Sequence, residues 1–224
     1  MKALSENPRY AWALEKRCLL LLVAVLVLMV ATPILTFVDH GRSLLGLLNV
    51  LVFATGISAV ARSTVSISAA VALGAAALFF QTLAIQSQTE AHFALSWSVA
   101  AAFYAYTIAH LLHYVLHRDT MTADKLYGAV AAYLMIGLMW AFVYGVAQYF
   151  DPESYAYHGA PKRLDIAELV FFSFAVLTTA GFGDITPVAI QARFLTIFEA
   201  VTGVMYVAIL IARLTGVYPH EPRR

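Results

Sequence analysis

The sequence contains little charge. Asp, Glu, Lys and Arg together make up 12% of its 224 residues, whereas soluble domains usually carry about 25%. A chain so poor in charge cannot give a folded globule a solvated surface, which excludes an ordinary soluble enzyme and a disordered chain. The net charge of +1 argues against a basic surface that seeks phosphate, so no nucleic-acid partner is expected. The remaining class is an integral membrane protein.

Cysteine is almost absent as well. The single Cys18 excludes an internal disulfide and a metal site built from several cysteines. A small chain with one cysteine and no attached soluble domain favours the plasma membrane of a prokaryote, that is, its inner membrane.

Long apolar runs dominate what is present. A bilayer core of about 30 Å needs roughly 20 apolar residues as a helix. Six stretches meet this length: 18–38, 44–61, 65–85, 93–116, 126–150 and a part of 188–217. The first is too long for the apolar region of a signal peptide and is expected to be a retained helix. A seventh apolar stretch, 166–178, is too short to cross, so we expect it to enter the membrane and return.

The distribution of Lys and Arg predicts the orientation. With a cytoplasmic N-terminus, ten of these residues lie inside and four lie outside, which agrees with the positive-inside rule. The sequence therefore predicts a multi-pass protein with both termini in the cytoplasm and a short stretch that dips in from the outside.

The short apolar stretch has a defined start and an unusual end. Asp165 followed by Glu168 forms a capping-box pattern, which predicts a helix that begins there and runs to Thr178. The alternating Gly181 and Gly183 then permit backbone conformations closed to other residues, so that successive carbonyl groups can point the same way. Irregular backbone at membrane depth occurs where it lines a cavity or is buried in protein. The C-terminal end of a helix also favours a cation.

Here the sequence resembles a known family. TTAGFGD at 178–184 closely matches the TTVGYGD signature of tetrameric potassium channels. The resemblance implies a homotetramer in which backbone oxygens replace the hydration shell of K⁺. The implied ion-binding residues are Thr179, which adds its hydroxyl, Ala180, Gly181, Phe182 and Gly183. Asp184 would stand at the outer mouth, and K⁺ would be the permeant ion with no cofactor and no other metal.

Some positions depart from the family pattern. Phe171 and Phe172 replace tryptophans that bond the acidic residue after the filter in many members, and Ala175 replaces an occasional glutamate. Asp184 must therefore find another partner or stay solvated. We expect residues 151–165 to form a solvated loop; the alternative is that its acidic residues, repeated in four chains, form a vestibule that attracts cations.

The last span carries the remaining pore candidates. Gly203 stands 19 residues after Asp184, as the family's hinge glycine does; the alternative is a packing glycine. The resemblance implies that the same face lines the cavity through Val204, Val207, Ile211 and Thr215. Glu199 lies off that face, and it is either a packing residue with a hydrogen bond to Ser173, Thr178 or a neighbouring hydroxyl, or a proton-sensitive brace on the filter. In the fifth span, the small residues Gly137, Ala141 and Gly145 predict close packing of this helix on the last one.

The fourth span lacks the arginines of a voltage sensor. Without a permanent charge to move through the membrane field, voltage dependence should be weak. The span instead carries a histidine stripe on one face near its cytoplasmic end, which consists of His110, His113 and His117. Histidine titrates near neutral pH, so the stripe could sense internal protons; the alternative is a set of interfacial side chains.

Taken together, these patterns predict an all-α integral membrane protein with six transmembrane helices, a re-entrant helix and a filter loop. The predicted parts are a cytoplasmic segment (1–17), a four-helix peripheral bundle (18–118), a pore domain (119–218) and a cytoplasmic tail (219–224). The predicted function is passive, weakly voltage-dependent and potassium-selective conduction by a homotetramer in contact with membrane lipid, and the chain is not expected to be an enzyme. The alternatives are a non-selective monovalent cation channel and a multi-span transporter.

Overall fold

The computed structural model describes residues 16–36, 38, 41–60, 64–117 and 122–215. The two predicted cytoplasmic ends therefore lie almost entirely outside the described residues. Seven helices occur in the described part: α1 (Arg17–Leu35), α2 (Gly41–Val60), α3 (Thr64–Ser87), α4 (Glu90–Leu116), α5 (Ala123–Phe150), α6 (Ile166–Leu177) and α7 (Ile190–Thr215). Six of them are long and apolar enough to cross a membrane, and α6 is not. The predicted all-α membrane fold is confirmed.

The first four helices form the peripheral bundle. Its core contains Leu21 and Val25 of α1, Phe53 of α2 and the Phe103–Tyr104 pair of α4, all of them almost fully buried. The rings of Phe53 and Phe103 meet edge to face, with centroids 4.5 Å apart. Large apolar side chains also cover the outward faces, as expected for helices that contact lipid rather than water.

The peripheral bundle packs on α5 of the same chain. The ring of Tyr104 in α4 lies 5.6 Å from that of Phe142 in α5. At the N-terminal end of α5, the backbone of Gly128 approaches Cys18 of α1 and Val115 of α4 closely. Helix α5 is therefore held by the first and fourth helices of its own chain.

The small residues of α5 contact other neighbours than predicted. A Cβ atom at Gly137 would stand 2.6 Å from the ring of Phe174 in α6, and one at Gly145 would stand 2.5 Å from the ring of Trp97 in α4. Ala141 belongs to the buried cluster around Tyr144. The prediction that this row faces the last span is wrong for the two glycines, because aromatic rings of α6 and α4 occupy the space that their missing side chains leave. The cluster around Ala141 does include Ala192 of α7.

The stretch after α5 is not simply a solvated loop. It folds into β1 (Tyr155–Tyr157) and β2 (Ala160–Pro161), and β3 (Ile185–Pro187) completes a sheet with the order β2-β1-β3. Both pairings are antiparallel. His158 and Gly159 both have positive φ, the requirement of a type I′ turn, which suits a two-residue hairpin connection. The sheet joins the segment before α6 to the segment that leads into α7.

Candidate ion-conduction site

The site begins with a short helix whose start is fixed by the predicted capping box. Asp165 Oδ1 accepts a hydrogen bond from the Glu168 amide at 2.9 Å, and Glu168 Oε2 accepts one from the Asp165 amide at 3.0 Å. These bonds satisfy amide groups that a helix start otherwise leaves free. With 12 residues, α6 is about 18 Å long, so it ends within the membrane rather than beyond it.

A buried side chain ties the start of α6 to the end of α5. Gln148 donates from Nε2 to the Leu164 carbonyl at 2.9 Å and accepts from the Leu164 amide at 3.1 Å. Both residues are almost fully buried. The side-chain amide of Gln148 thus bonds both backbone groups of Leu164, as a neighbouring β-strand would. This fixes the point at which the chain enters α6.

The end of α6 turns directly into the filter segment, residues 179–183. The Thr179 amide donates to the Val176 carbonyl at 2.9 Å, and the Gly181 amide donates to the Ala175 carbonyl at 3.1 Å. These bonds fold the chain back along the helix end. The partial negative charge of a helix C-terminus is therefore directed at the filter segment.

Alternate residues of the filter segment adopt the left-handed conformation. Thr179, Gly181 and Gly183 have φ values of 58°, 54° and 81°, whereas Ala180 and Phe182 between them do not. When left-handed residues alternate with residues of the opposite backbone hand, successive peptide groups point to the same side. A threonine at positive φ is a strained outlier, and such strain concentrates at functional sites. The arrangement can present a row of carbonyl oxygens to one ligand.

The filter segment lies on the outside of the single chain. All five of its residues are exposed, and Phe182 is the most accessible large apolar side chain near the site at 69% exposure. The Phe182 ring stacks on Phe171 of α6, with centroids 5.5 Å apart and planes inclined by 20°. This exposed aromatic pair suits a surface that further copies of the chain would cover.

The two phenylalanines at the family's tryptophan positions have different surroundings. Phe171 supports Phe182, whereas Phe172 is buried and contacts the rings of Tyr144 and Tyr155 at 5.1 and 5.6 Å. Neither can donate a hydrogen bond to Asp184. The Asp184 carboxylate accepts from the Ile185 amide at 3.0 Å instead, so it has a backbone partner directly after the filter segment.

The small sheet holds the exit of the filter segment. The His158 amide donates to the Asp184 carbonyl at 2.8 Å, and the Val188 amide donates to the Ser154 carbonyl at 2.8 Å. The ladder between β1 and β3 lies between these two bonds. The backbone is thereby fixed on the far side of the filter segment, as α6 fixes it on the near side.

Gly203 lies in the closest contact between α6 and α7. A Cβ atom there would stand 2.2 Å from the Leu177 carbonyl oxygen, so only glycine lets the two helices approach this far. The helix continues through this position without a break from Ile190 to Thr215. The contact gives Gly203 a packing role, and a hinge at this position stays a prediction.

One face of α7 beyond Gly203 is open. The four predicted cavity residues are all exposed in the single chain: Val204, Val207, Ile211 and Thr215. The Thr215 hydroxyl is within hydrogen-bond distance of the Ile211 and Ala212 carbonyl groups of its own helix. A role of this face in lining a cavity requires further copies of the chain and stays a prediction.

Glu199 is fully buried where α5, α6 and α7 meet. Its Oε1 lies 2.5 Å from the Ser173 hydroxyl oxygen, and its Oε2 accepts a hydrogen bond from the Tyr144 hydroxyl. Ser173 also lies 2.6 Å from the Gly137 carbonyl oxygen of α5. Of the two partners that the sequence suggested, the structure gives Ser173, while the Thr178 hydroxyl bonds to the Phe174 carbonyl.

The histidine stripe is placed at the C-terminal end of α4. His110 Nδ1 lies 3.0 Å from the Tyr106 carbonyl oxygen, and its ring packs on that of Tyr106. The rings of His113 and His117 are 6.1 Å apart, and both side chains are exposed. None of the three reaches the filter segment. The His117 carbonyl, however, accepts a bond from Arg213 of α7 at 2.6 Å, which links the ends of α4 and α7.

Three functional contacts were missed from the sequence. The Gln148 bridge and the Tyr144 bond to Glu199 join residues that lie 16 and 55 positions apart, and no local pattern marks such pairs. The β-hairpin had a partial signal, because the Tyr-Ala-Tyr run at 155–157 is followed by Gly159, and glycine in a two-residue connection favours a hairpin.

Comparison with known proteins agrees with this geometry. Residues 131–218 match the family model described as Ion channel. The matched stretch covers most of α5, the sheet, α6, the filter segment and α7. No curated protein and no solved structure matches the chain. The six spans support an integral, multi-pass membrane protein, and residues 131–218 of this chain are similar to an ion channel domain.

Proposed function

We propose that the chain forms a homotetrameric, potassium-selective channel that conducts K⁺ passively. The observation that carries this proposal is the alternation of backbone hand at Thr179, Gly181 and Gly183, directly after a capped half-helix. Backbone carbonyl oxygens in such a row can replace the water around a dehydrated monovalent cation. The ligands are main-chain atoms, so the Ala and Phe of this signature supply the same oxygens as the Val and Tyr of the family.

The geometry of ion coordination supports an assembly of several chains, and we propose that it is a homotetramer. One filter segment offers oxygens from one side only, whereas a dehydrated ion needs them all around. The exposure of the filter segment, together with exposed apolar residues such as Val201 and Val204 of α7, supports further copies around a shared axis. Four copies would also direct four α6 C-termini at the same point, which adds to the attraction for a cation.

The proposed orientation has both termini in the cytoplasm of a prokaryotic cell. Two contacts support the proposal that successive connections between the spanning helices lie on opposite sides of the membrane. Arg163 forms an ion pair with Glu90, which joins two proposed outer connections. Arg213 bonds to the His117 carbonyl, which joins two proposed inner ends.

Weak voltage dependence is part of the proposal. Helix α4 contains no Lys or Arg along its 27 residues, so the field has no fixed charge there to displace. Two charged groups near the proposed pore, Lys162 and Glu168, form an ion pair with each other. We expect a shallow conductance–voltage curve in the absence of blocking ions.

The experiment is a reversal-potential measurement on purified protein in a planar bilayer with K⁺ on one side and Na⁺ on the other. A potassium-selective channel reverses far from zero, with the K⁺ side negative, and shows discrete unit currents. Unit currents that reverse near zero would indicate a non-selective cation channel. Flux without unit currents would indicate a transporter, and either result would overturn the proposal.

A further inference from the structure

Glu199 is a buried carboxyl group without a cationic partner among the described residues. It is 0% exposed, and its contacts there are the hydroxyl groups of Ser173 and Tyr144. The described ion pairs lie elsewhere, at Lys162–Glu168 and Arg163–Glu90. An ionised carboxylate inside the membrane is costly, so this site needs an explanation other than a salt bridge.

The hydrogen atoms of the cluster can be counted. Ser173 Oγ lies 2.5 Å from Glu199 Oε1 and 2.6 Å from the Gly137 carbonyl oxygen. A hydroxyl group carries one hydrogen, while a carbonyl and an ionised carboxylate only accept. If Glu199 were ionised, one of these two close contacts would join oxygen atoms with no hydrogen between them.

A protonated Glu199 satisfies all three contacts that Glu199 and Ser173 make in this cluster. Its own O–H donates to Ser173 Oγ, the Ser173 hydroxyl donates to the Gly137 carbonyl, and the Tyr144 hydroxyl donates to the other Glu199 oxygen. Three hydrogen atoms then serve three contacts, and no buried charge remains.

The other titratable groups around Glu199 also agree with a neutral carboxylic acid. Tyr155 of β1 and Tyr133 of α5 lie near enough for electrostatic interaction with Glu199. Neither forms a described hydrogen bond with it, and the buried Tyr155 hydroxyl has no hydrogen-bond partner in the described part of the chain. A full negative charge would attract such a donor.

We propose that Glu199 remains a neutral carboxylic acid and positions α6 between α5 and α7. The chain of bonds runs from Glu199 of α7 through Ser173 of α6 to Gly137 of α5, with Tyr144 closing it from α5. One turn further along each helix, Gly203 meets the Leu177 carbonyl. Glu199 therefore fixes the last turns of α6, directly before the filter segment. The assignment of the proton stands on its own, and its effect on conduction rests on the proposed channel function.

The proton is tested by infrared difference spectroscopy on the purified full chain in lipid, at neutral pH. The expected result is a carbonyl band of a protonated carboxylic acid that shifts in D₂O and disappears in Glu199→Gln. The exposed Glu153 provides the matched control, because Glu153→Gln makes the same chemical change and should keep the band. Absence of the band from the unsubstituted protein, or its survival in Glu199→Gln, would overturn the proposal.

The positioning role is tested by K⁺ flux into liposomes. Glu199→Gln can both donate and accept, so it should keep flux within about twofold, whereas Glu199→Ala should lose about tenfold because it leaves buried hydroxyl groups without partners. Equal flux in the two variants would refute this role. If Glu199→Ala fails to assemble, Ser173→Ala serves instead. Loss of its hydroxyl should move the acid band, and an unmoved band would refute the relay.

Failure of this inference can be told apart from failure of the proposed function. The infrared band requires folded protein but no conduction. If the protein shows the band but conducts without selectivity, the proposal of a protonated Glu199 stands and the proposal of a potassium channel is refuted. If the protein conducts K⁺ selectively but lacks the band, the potassium channel stands and the protonated Glu199 is refuted.

Discussion

The contact at Gly203 permits a prediction whose size follows from the structure. A methyl group in Gly203→Ala would lie 2.2 Å from the Leu177 carbonyl oxygen, whereas ordinary contacts begin at 3.4 Å. The opposing atom belongs to the backbone, so no side-chain rotation can relieve the overlap. The end of α6 and α7 would have to separate by about 1.2 Å, and overpacking of this kind costs about 1–3 kcal/mol per site.

The displaced carbonyl stands two residues before Thr179, so the separation reaches the filter segment. We expect Gly203→Ala to lower K⁺ flux at least about tenfold, which corresponds to about 1.4 kcal/mol, within the cost of overpacking. The same variant should lower the thermal unfolding temperature of the purified protein. Flux into liposomes and thermal unfolding in detergent measure the two effects.

Gly46→Ala is the matched control. It also lies within a membrane-spanning helix, but a Cβ atom there has one neighbour within 4 Å, Gln81 Nε2 at 3.8 Å. Alanine is the better helix former, so this variant should be neutral or slightly stabilising. Flux and unfolding temperature in Gly203→Ala as high as in Gly46→Ala would refute the packing argument.

Four further predictions test other parts of the site. Gly181→Ala should abolish selective flux, because a side chain in the left-handed conformation costs about 1–2 kcal/mol in every copy; selective unit currents from this variant would contradict the filter conformation. Asp165→Ala should lower the free energy of unfolding by about 1 kcal/mol and Asp165→Ser should restore it, as chemical denaturation would show; equal stability of the two would remove the cap from the account. Gln148→Leu should cost about 2–3 kcal/mol by the same assay, since the buried amide and carbonyl of Leu164 lose their partners; a cost near zero would mean that the bridge is absent. Replacement of the whole histidine stripe by Gln should leave the response of the current to internal pH unchanged, and a lost response would show that the stripe senses protons.

The elements that could be predicted from the sequence are those with local causes. Helix length follows from the apolar runs, and the six spans are confirmed. The start of α6 follows from Asp165 and Glu168, three residues apart, and the structure forms both bonds of the capping box. The twisted backbone after α6 was expected from Gly181 and Gly183, although the positive φ of Thr179 has no local signal.

The contacts that could not be predicted depend on which helix lies beside which. The spacing of Gly137 and Gly145 indicates a close approach but does not identify the partner, and the rings of Phe174 and Trp97 fill the two gaps. Likewise, the sequence suggested Ser173 as one partner for Glu199 but gave no reason to include Tyr144. Neighbours of this kind are set by tertiary packing, which periodicity within one helix does not encode.

The site is determined on both sides of the filter segment by different means. Before it, side-chain bonds from Gln148 and Glu199 hold α6. After it, the His158 amide holds the Asp184 carbonyl and the backbone of β1 pairs with β3. Strained conformations such as that of Thr179 persist only when the surroundings over-determine them, and this double anchoring provides that constraint.

The most direct test of the account is to locate the ion. Crystals of the assembled protein grown with Rb⁺, an anomalous scatterer similar in size to K⁺, would show where dehydrated ions bind. The account predicts a row of peaks on a fourfold axis, each surrounded by backbone oxygens of residues 179–182 from four chains. A filter segment that faces lipid, or an axis without such peaks, would contradict it.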